Sequence, residues 1–128
     1  MGTKIVIELN GETLRGELSD SAAARKVADA LPLSVSMSRW GEEYYGSTGI
    51  ALPQDATARE LMEIGEMAYW PPGKALCIFF GPTPASTDER PRAASAVLPI
   101  GRVTEGVEKL SGLGSRVRAE ILATPSKS

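Results

Sequence analysis

Short segments in which apolar and polar residues alternate constrain the fold of this chain more than any other feature. The clearest covers residues 33–40, where three apolar residues share one parity and three serines take the other. Similar alternation covers residues 4–9, and the pair Asn10-Gly11 after it tolerates positive φ in a two-residue turn. A period of two is typical of β-strands that are covered on one face. The chain is therefore expected to open with a β-hairpin and to consist mainly of strands.

The helical patterns in the sequence are few and short. Residues 22–31 have apolar side chains at helical spacing, with N-cap candidates before them and Pro32 after them. A brief helical turn is predicted at residues 58–62 with Asp55 as its cap, and another helix is predicted to start at Thr104-Glu105. Further strands are predicted at residues 13–18, 42–46, 48–52, 67–70, 75–80, 95–100 and 116–121.

Glycine and proline mark the connections between these segments. Gly16 lies between two apolar positions of a strand and is expected to mark a bulge or bend. Pro72 and Gly73 fit the central positions of a type II turn. Residues 81–94 contain three prolines and four charged groups, and a loop of this length is expected to be mobile.

Eight or nine short strands with two or three short helices predict a mainly β domain. Such a chain must protect the edges of its sheet, and a closed β-barrel of about eight strands, capped by the helices, does so. The 128 residues suffice for one domain with one core. We therefore expect a single barrel domain over residues 1–122, followed by a disordered tail at residues 123–128.

Residues 75–80 are apolar on both parities, so both faces of this strand are expected to be covered. One face packs in the core, and the other requires a helix, a second subunit or a ligand. If Tyr69 or Trp70 and Phe79 lie on the outer face, they form an apolar floor that suits a peptide or a small apolar ligand. The alternative is that these rings fill the barrel and its caps.

The complete absence of histidine excludes several chemistries. Ser-His-Asp and Cys-His catalysis, His-ligated zinc and imidazole pH switches all need this side chain. The stretch Gly46-Ser47-Thr48-Gly49 lacks the spacing and the lysine of a phosphate-binding loop. Metal binding would rely on Asp and Glu alone, without the spacing of a calcium loop. Neither a cofactor nor a metal is expected.

Two pairs of adjacent carboxylates, Glu42-Glu43 and Asp88-Glu89, are the candidates for acid–base chemistry. Adjacent residues on an extended strand point to opposite faces, so neither pair converges on one site. Both pairs are therefore interpreted as solvated. Arg39 falls on the inward parity at the end of its strand, which would place a guanidinium at the mouth of the core. The simpler interpretation is that the strand has ended and this side chain is solvated.

Charge and cysteine content limit the expected partners and location. Fourteen Lys and Arg accompany sixteen Asp and Glu without a clustered basic tract, so a nucleic-acid surface is not expected. No apolar stretch approaches the ~20 residues of a membrane span, and no membrane partner is expected. The lone Cys77 lies in an apolar run, where it is expected to be buried. A cytoplasmic location follows as the default expectation.

Three stretches of the sequence resemble a family of small prokaryotic proteins with an atypical cyclophilin-like fold. They are residues 40–45, with the sequence WGEEYY, residues 63–84, which include WPPGK, and residues 94–103. The resemblance covers nearly the whole chain, and WPPGK is its most specific part. It implies a compact closed β-barrel with helices over its open ends, in a family whose function is largely uncharacterised.

The resemblance to enzymatic cyclophilins is incomplete at the catalytic positions. Those enzymes isomerise the bond before proline with an arginine beside a pocket of phenylalanine, glutamine, tryptophan and histidine. Aligning residues 100–103 with their corresponding segment places Val97 where the histidine stands and Arg92 near the tryptophan. The one glutamine, Gln54, lies in a predicted loop. The resemblance therefore implies the fold and leaves only Arg39 as a candidate electrophile.

Two functional hypotheses follow. The first is a non-catalytic binding module for a peptide, a small molecule or a second copy of the chain, with Trp40, Tyr69, Trp70 and Phe79 as ligand-binding residues. The second is a weak peptidyl-prolyl cis-trans isomerase with Arg39 as its catalytic cation. Its chemistry would need only electrostatic help, because the uncatalysed barrier is ~18–20 kcal/mol. The missing catalytic set favours the first hypothesis.

Overall fold

The computed structural model describes residues 2–124. Within this range the chain forms nine strands, one α-helix and two short 3-10 helices. They are β1 (Thr3–Leu9), β2 (Glu12–Leu18), α1 (Ala22–Asp29), β3 (Leu33–Arg39), β4 (Glu43–Ser47), β5 (Arg59–Leu61), β6 (Glu66–Trp70), β7 (Ala75–Phe79), β8 (Arg92–Glu105) and β9 (Arg116–Ala123), with 3-10 helices at Pro71–Gly73 and Val107–Gly112.

Eight of the strands close into an antiparallel barrel, as predicted. Their order is β2-β1-β9-β3-β4-β7-β6-β8, and β8 pairs with β2 to complete the circle. Two glycines permit this closure: a Cβ on Gly16 would lie 2.7 Å from the Arg102 carbonyl oxygen, and one on Gly101 would collide with the Glu17 carbonyl oxygen. The register between β2 and β8 shifts at Arg15/Gly16, so the bulge predicted at Gly16 is confirmed.

Alternate side chains of each barrel strand fill the interior. The apolar residues of β3 point inward and its serines lie on the outside, as the period of two predicts. Helix α1 covers one end with Ala24 and Val27, and it begins where the Ser21 hydroxyl accepts a hydrogen bond from the Ala24 amide at 3.1 Å. Leu110, from the second 3-10 helix, is also buried against the interior.

One helical turn predicted from the sequence is a strand in the structure. Arg59–Leu61 pairs with β8 on the side away from β6 and so forms β5. Asp55 caps only a turn, where its carboxylate accepts from the Thr57 amide at 2.8 Å. The ion pair between Arg59 and the buried Glu66, at 3.0 and 2.6 Å, fixes β5 to the start of β6. These long-range contacts override the local helical pattern.

Two other local predictions are wrong. Residues 48–52 are irregular, and Ile50 is held by Thr48 and Tyr69 side chains. Thr104 and Glu105 stay in β8, so the predicted helix becomes a 3-10 helix that starts later.

The turn between β6 and β7 also differs from its predicted type. Pro71–Gly73 forms a 3-10 helix, and the positive φ of 49° falls on Lys74 instead of Gly73. Gly73 is needed for another reason, because a Cβ there would lie 2.8 Å from the ring of Trp70.

The proline-rich loop before β8 is held by its own hydroxyl groups. Thr83 donates to the Arg92 carbonyl oxygen, and Ser86 donates to the Arg90 carbonyl oxygen at 2.8 Å. The mobility expected for this loop stays a prediction.

The C-terminal strand reaches slightly beyond the predicted domain limit. Strand β9 ends at Ala123, and the Thr124 amide donates to the Lys4 carbonyl oxygen at 2.9 Å. The rest of the predicted tail, residues 125–128, lies outside the described residues. Within residues 2–124, no helix has the length and apolar character needed to cross a membrane.

Candidate functional site

A second apolar layer lies outside the barrel wall. It packs between the outer faces of β6 and β7 and the segment that contains β5 and the first half of β8. We call it the outer cluster: Met62, Ala68, Cys77, Phe79, Ala93 and Val97. The apolar outer parity of β7 is therefore covered largely by strands of the same chain, where a helix, a subunit or a ligand was expected.

The cover is incomplete at one end, where a cavity of about 250 Å³ opens beside the outer cluster. We call this cavity the outer pocket. Its walls are three aromatic residues, two residues with polar heads and three small or branched residues of β8: Trp40, Tyr45, Trp70, Glu43, Cys77, Ala93, Ala94 and Val97.

Strand register explains which side chains of β4 reach this pocket. Glu43 and Tyr45 have the same parity, and they pair with Phe79 and Cys77 of β7. Side chains of directly paired residues lie on the same face of a sheet. Since Cys77 and Phe79 face outward, Glu43 and Tyr45 do so as well, whereas Tyr44 between them faces the interior.

The two tryptophans are held at the pocket by different hydrogen bonds. The Trp70 indole donates to the Ser95 hydroxyl at 2.7 Å, which links the end of β6 to β8. Trp40 lies in the turn between β3 and β4, and its amide donates to the Glu43 carbonyl oxygen at 2.8 Å. The next residue, Gly41, has a φ of +62° and allows the loop at Pro84 to approach.

Glu43 brings a buried carboxyl group to the outer pocket, with only 5% of its surface exposed. Burial raises the pKa of its carboxyl from the ordinary 4.5 to about 7, against a smaller lowering by a hydrogen bond from Cys77. Its Oε1 atom has no hydrogen-bond partner among residues 2–124. A buried polar atom without a partner requires an explanation, because most such atoms in folded proteins are satisfied. The interpretation of Glu43 as solvated is therefore wrong.

Cys77 is buried, as expected, and contributes a thiol to the pocket wall. Burial raises the pKa of this thiol well above its ordinary value, and the neighbouring Glu43 carboxyl raises it further. A thiol in this environment stays protonated and is a poor nucleophile. The pocket therefore offers apolar walls and a hydrogen-bonding carboxyl group, without an activated nucleophile.

The structure separates the four residues predicted to bind a ligand. Trp40 and Trp70 line the outer pocket. Phe79 belongs to the outer cluster, where it is fully buried and does not line the pocket. Tyr69 faces the interior instead, where its hydroxyl contacts the Ile50 carbonyl oxygen and the Leu52 amide.

Arg39, the predicted catalytic cation, lies at the mouth of the barrel interior. Its guanidinium stacks on Phe80 at 5.0 Å and donates to three backbone carbonyl oxygens, those of Gly41, Ser111 and Leu113, at 2.9 to 3.2 Å. It also pairs with Glu42 at 3.4 Å. The solvated interpretation of Arg39 is wrong, and the alternative that places it at the core's mouth is correct. It does not line the outer pocket, and its catalytic role stays a prediction.

Sequence reasoning missed Glu43 and Tyr45 as pocket residues. A usable signal was present, since both occupy the parity of a short strand opposite to the inward Tyr44. Only the pairing of β4 with the doubly apolar β7 turns that parity into a buried position. Among the described residues, no group of three or more Cys, Asp or Glu side chains has the geometry for a metal ion.

The fold and most of the sequence have known relatives. The chain is similar to a hypothetical protein from Archaeoglobus fulgidus with a known solution structure, at 35% sequence identity and a TM-score of 0.78. The match covers 96% of this chain and 95% of the archaeal chain. No protein with curated annotation matches the sequence significantly. Residues 3–121 match the Cyclophilin-like family, and the chain therefore belongs to that family.

Proposed function

We propose that this protein is a non-catalytic binding module whose outer pocket holds one side chain of a peptide or one small molecule. The observation that carries the proposal is a cavity with two tryptophan walls and a buried carboxyl oxygen that lacks a partner. Ligand pockets are typically apolar clefts with a few placed polar groups, and the outer pocket has this composition.

The size of the pocket limits what it can hold. Its volume of about 250 Å³ is below the roughly 300–1,000 Å³ of pockets that take drug-sized ligands. A single side chain of a peptide, or a one-ring molecule, is the matching size class. The exposed rim residues Tyr45 and Ala94 leave the entrance open to such a group.

Blocking the entrance tests this proposal. Both tryptophans of the chain line the pocket, so its fluorescence reports directly on occupancy. In a screen of one-ring compounds, we expect wild-type protein to show saturable changes that the Ala94→Phe variant loses, because the new ring at the rim blocks the entrance. Ala123→Phe, at an exposed alanine of β9, is the matched control. Saturable binding that survives in Ala94→Phe would contradict the proposal.

A second copy of the chain is another occupant consistent with the first hypothesis. Under the proposal, a self-associating protein would present one of its own side chains to the outer pocket. Sedimentation velocity over a range of concentrations should then show a dimer that Ala94→Phe abolishes. The cytoplasmic location remains an expectation.

The geometry does not favour the alternative of a weak prolyl isomerase. Arg39 already donates to three carbonyl oxygens and lies outside the outer pocket. A coupled assay on a proline peptide should therefore show no rate above background, and Arg39→Ala should leave it unchanged. A clear rate that falls in this variant would restore the isomerase hypothesis.

A further inference from the structure

The outer pocket contains a carboxyl group but no cationic side chain among the described residues that line it. The arginines of the surrounding elements are engaged with other carboxylates: Arg39 with Glu42, Arg59 with Glu66 and Arg92 with Glu60. The Glu43 carboxyl thus has no countercharge of its own. A buried carboxylate without a countercharge is costly, and a bound cation would offset that cost.

The walls around this carboxyl suit a cation as well. Trp40, Tyr45 and Trp70 line the same cavity as Glu43. The faces of such rings attract ammonium groups, and tryptophan does so most strongly. Aromatic walls around one carboxylate are the chemistry that recognises an organic ammonium group, whereas a purely apolar ligand would leave Oε1 unsatisfied.

We propose that the ligand of the outer pocket carries an ammonium group that pairs with the Glu43 carboxylate and lies against the tryptophan rings. This inference rests on the proposed function and specifies the chemical class of the ligand. A lysine side chain, an amino terminus of a peptide and a small aryl-alkyl amine all belong to this class. The small size of the cavity admits the ammonium group with one short chain or ring.

A matched pair of probes separates charge from shape. Benzylamine and benzyl alcohol have the same ring and length, but only benzylamine is a cation at pH 8. Titration of the wild-type protein, followed by tryptophan fluorescence, should show that benzylamine binds at least about tenfold more tightly than benzyl alcohol, as expected for a hydrogen bond to a charged group. The Glu43→Gln variant keeps the shape of the side chain and should lose this preference.

Control variants exclude general charge effects and misfolding. Glu42→Gln removes the neighbouring carboxylate, which pairs with Arg39 and does not line the pocket, so the preference for benzylamine should persist. If Glu43→Gln is poorly folded by circular dichroism, Glu43→Asp replaces it. This variant shortens the carboxyl group without removing it, and it should reduce the preference without abolishing it.

Protonation of the carboxyl provides a second measurement. The other titratable groups that line the pocket beside Glu43 are Tyr45 and Cys77, and no basic side chain of residues 2–124 lines it. Wild-type affinity for benzylamine should therefore decrease by about tenfold between pH 8 and pH 6, because protonated Glu43 cannot pair with the ammonium group. Affinity for benzyl alcohol should stay constant.

The outcomes test the ammonium inference separately from the binding module on which it rests. Equal binding of both probes, or a preference that survives in Glu43→Gln, overturns the ammonium inference and leaves the binding module intact. Binding of benzyl alcohol without binding of benzylamine also overturns the ammonium inference and leaves the binding module intact. If neither probe changes the fluorescence, the ammonium inference is overturned, and the binding module then loses its support for one-ring ligands as well.

Discussion

Strands β4, β6 and β7 build both the barrel interior and the outer pocket, so the two regions can be compared directly. In the interior, the buried hydroxyl of Tyr44 donates to the Gly114 carbonyl oxygen, and that of Tyr69 donates to Ile50. On the outside of the same strands, Glu43 is equally buried but has an oxygen without a partner. The interior is complete by itself, whereas the outer pocket is left unsatisfied.

The difference shows how this fold separates stability from binding. Protein interiors are closely packed, so the loss of a buried group there is costly. The outer cluster packs in the same way around Phe79, but at the pocket its residues border a cavity. We therefore expect substitutions in the interior to affect stability mainly, and substitutions at the pocket to affect binding mainly.

The strongest test of this contrast is Leu14→Ala in the interior. Leu14 is fully buried in β2, and its truncation leaves a cavity that the closed barrel cannot collapse. We expect the free energy of unfolding, measured by urea denaturation, to fall by about 4 kcal/mol. The control Leu122→Ala removes a leucine that is 38% exposed, and it should cost less than about 1 kcal/mol. Similar losses in both variants would contradict a sealed interior.

The pH dependence of stability is the next largest effect, and it belongs to the pocket. The pKa of Glu43 is about 7 in the folded state and about 4.5 when unfolded, so the folded state binds the proton more tightly. Its contribution is fully present below pH 4.5, decreases as the pH rises from 4.5 to 7, and levels off above 7. At 1.36 kcal/mol for each pH unit, the loss is about 3 kcal/mol.

The variant Glu43→Gln should remove this pH dependence, because an amide does not ionise. Urea denaturation at pH 5 and pH 8 measures it: the wild-type protein loses stability over this range and the variant keeps it. Glu42→Gln should behave like wild type in this comparison, since the Glu42 side chain is partly exposed and paired with Arg39. An unchanged slope in Glu43→Gln would show that the carboxyl is not buried as described.

Arg39 provides a test at the boundary of the interior. Its guanidinium holds the end of the second 3-10 helix and the residue after it through the Ser111 and Leu113 carbonyl oxygens. Arg39→Met keeps much of the side-chain length but removes these donors, and we expect a loss of about 2 kcal/mol in the free energy of unfolding. Hydrogen exchange should increase in residues 111–114 before it increases in α1. If hydrogen exchange in residues 111–114 is unchanged in this variant, Arg39 does not position that segment.

The smallest expected effect compares two valines of equal exposure. Val35 lies in the interior and Val97 borders the outer pocket, and both are 1% exposed. Val35→Ala should lower the free energy of unfolding by about 2 kcal/mol, whereas Val97→Ala should lower it by about 1 kcal/mol, because one side of Val97 already lacks neighbours. Thermal or urea unfolding measures both. Equal losses would mean that the pocket is packed like the interior.

Much of the fold could be predicted because local patterns and tertiary pairing agree over most of the barrel. Asn10 and Gly11 have the positive φ values that a two-residue turn requires, and β3 and β9 follow their alternation. The predictions fail where the local pattern and the tertiary pairing disagree. Arg59–Leu61 has a locally helical pattern, yet its pairing with β8 and the Arg59–Glu66 ion pair make it a strand.

The candidate site was predicted only in part. Aromatic residues near a doubly apolar strand indicate an outer surface, and Trp40 and Trp70 do line the outer pocket, whereas Tyr69 faces the interior. Tyr69 and Trp70 are adjacent in a strand and therefore face opposite sides of the sheet. Which of the two faces the interior becomes known only when the register of β6 against β7 is known. Glu43 escaped prediction because a carboxylate in a short polar strand ordinarily lies in water.

The sequence by itself determined a mainly β chain of short alternating strands, whose edges need protection of the kind that a closed barrel provides. It also determined which chemistry is absent, because a chain without histidine lacks the imidazole that many catalytic and zinc sites need. Only the tertiary structure decided that Glu43 is buried beside two tryptophans. The physical reason is that burial depends on which strand lies alongside, and strands distant in sequence supply that neighbour.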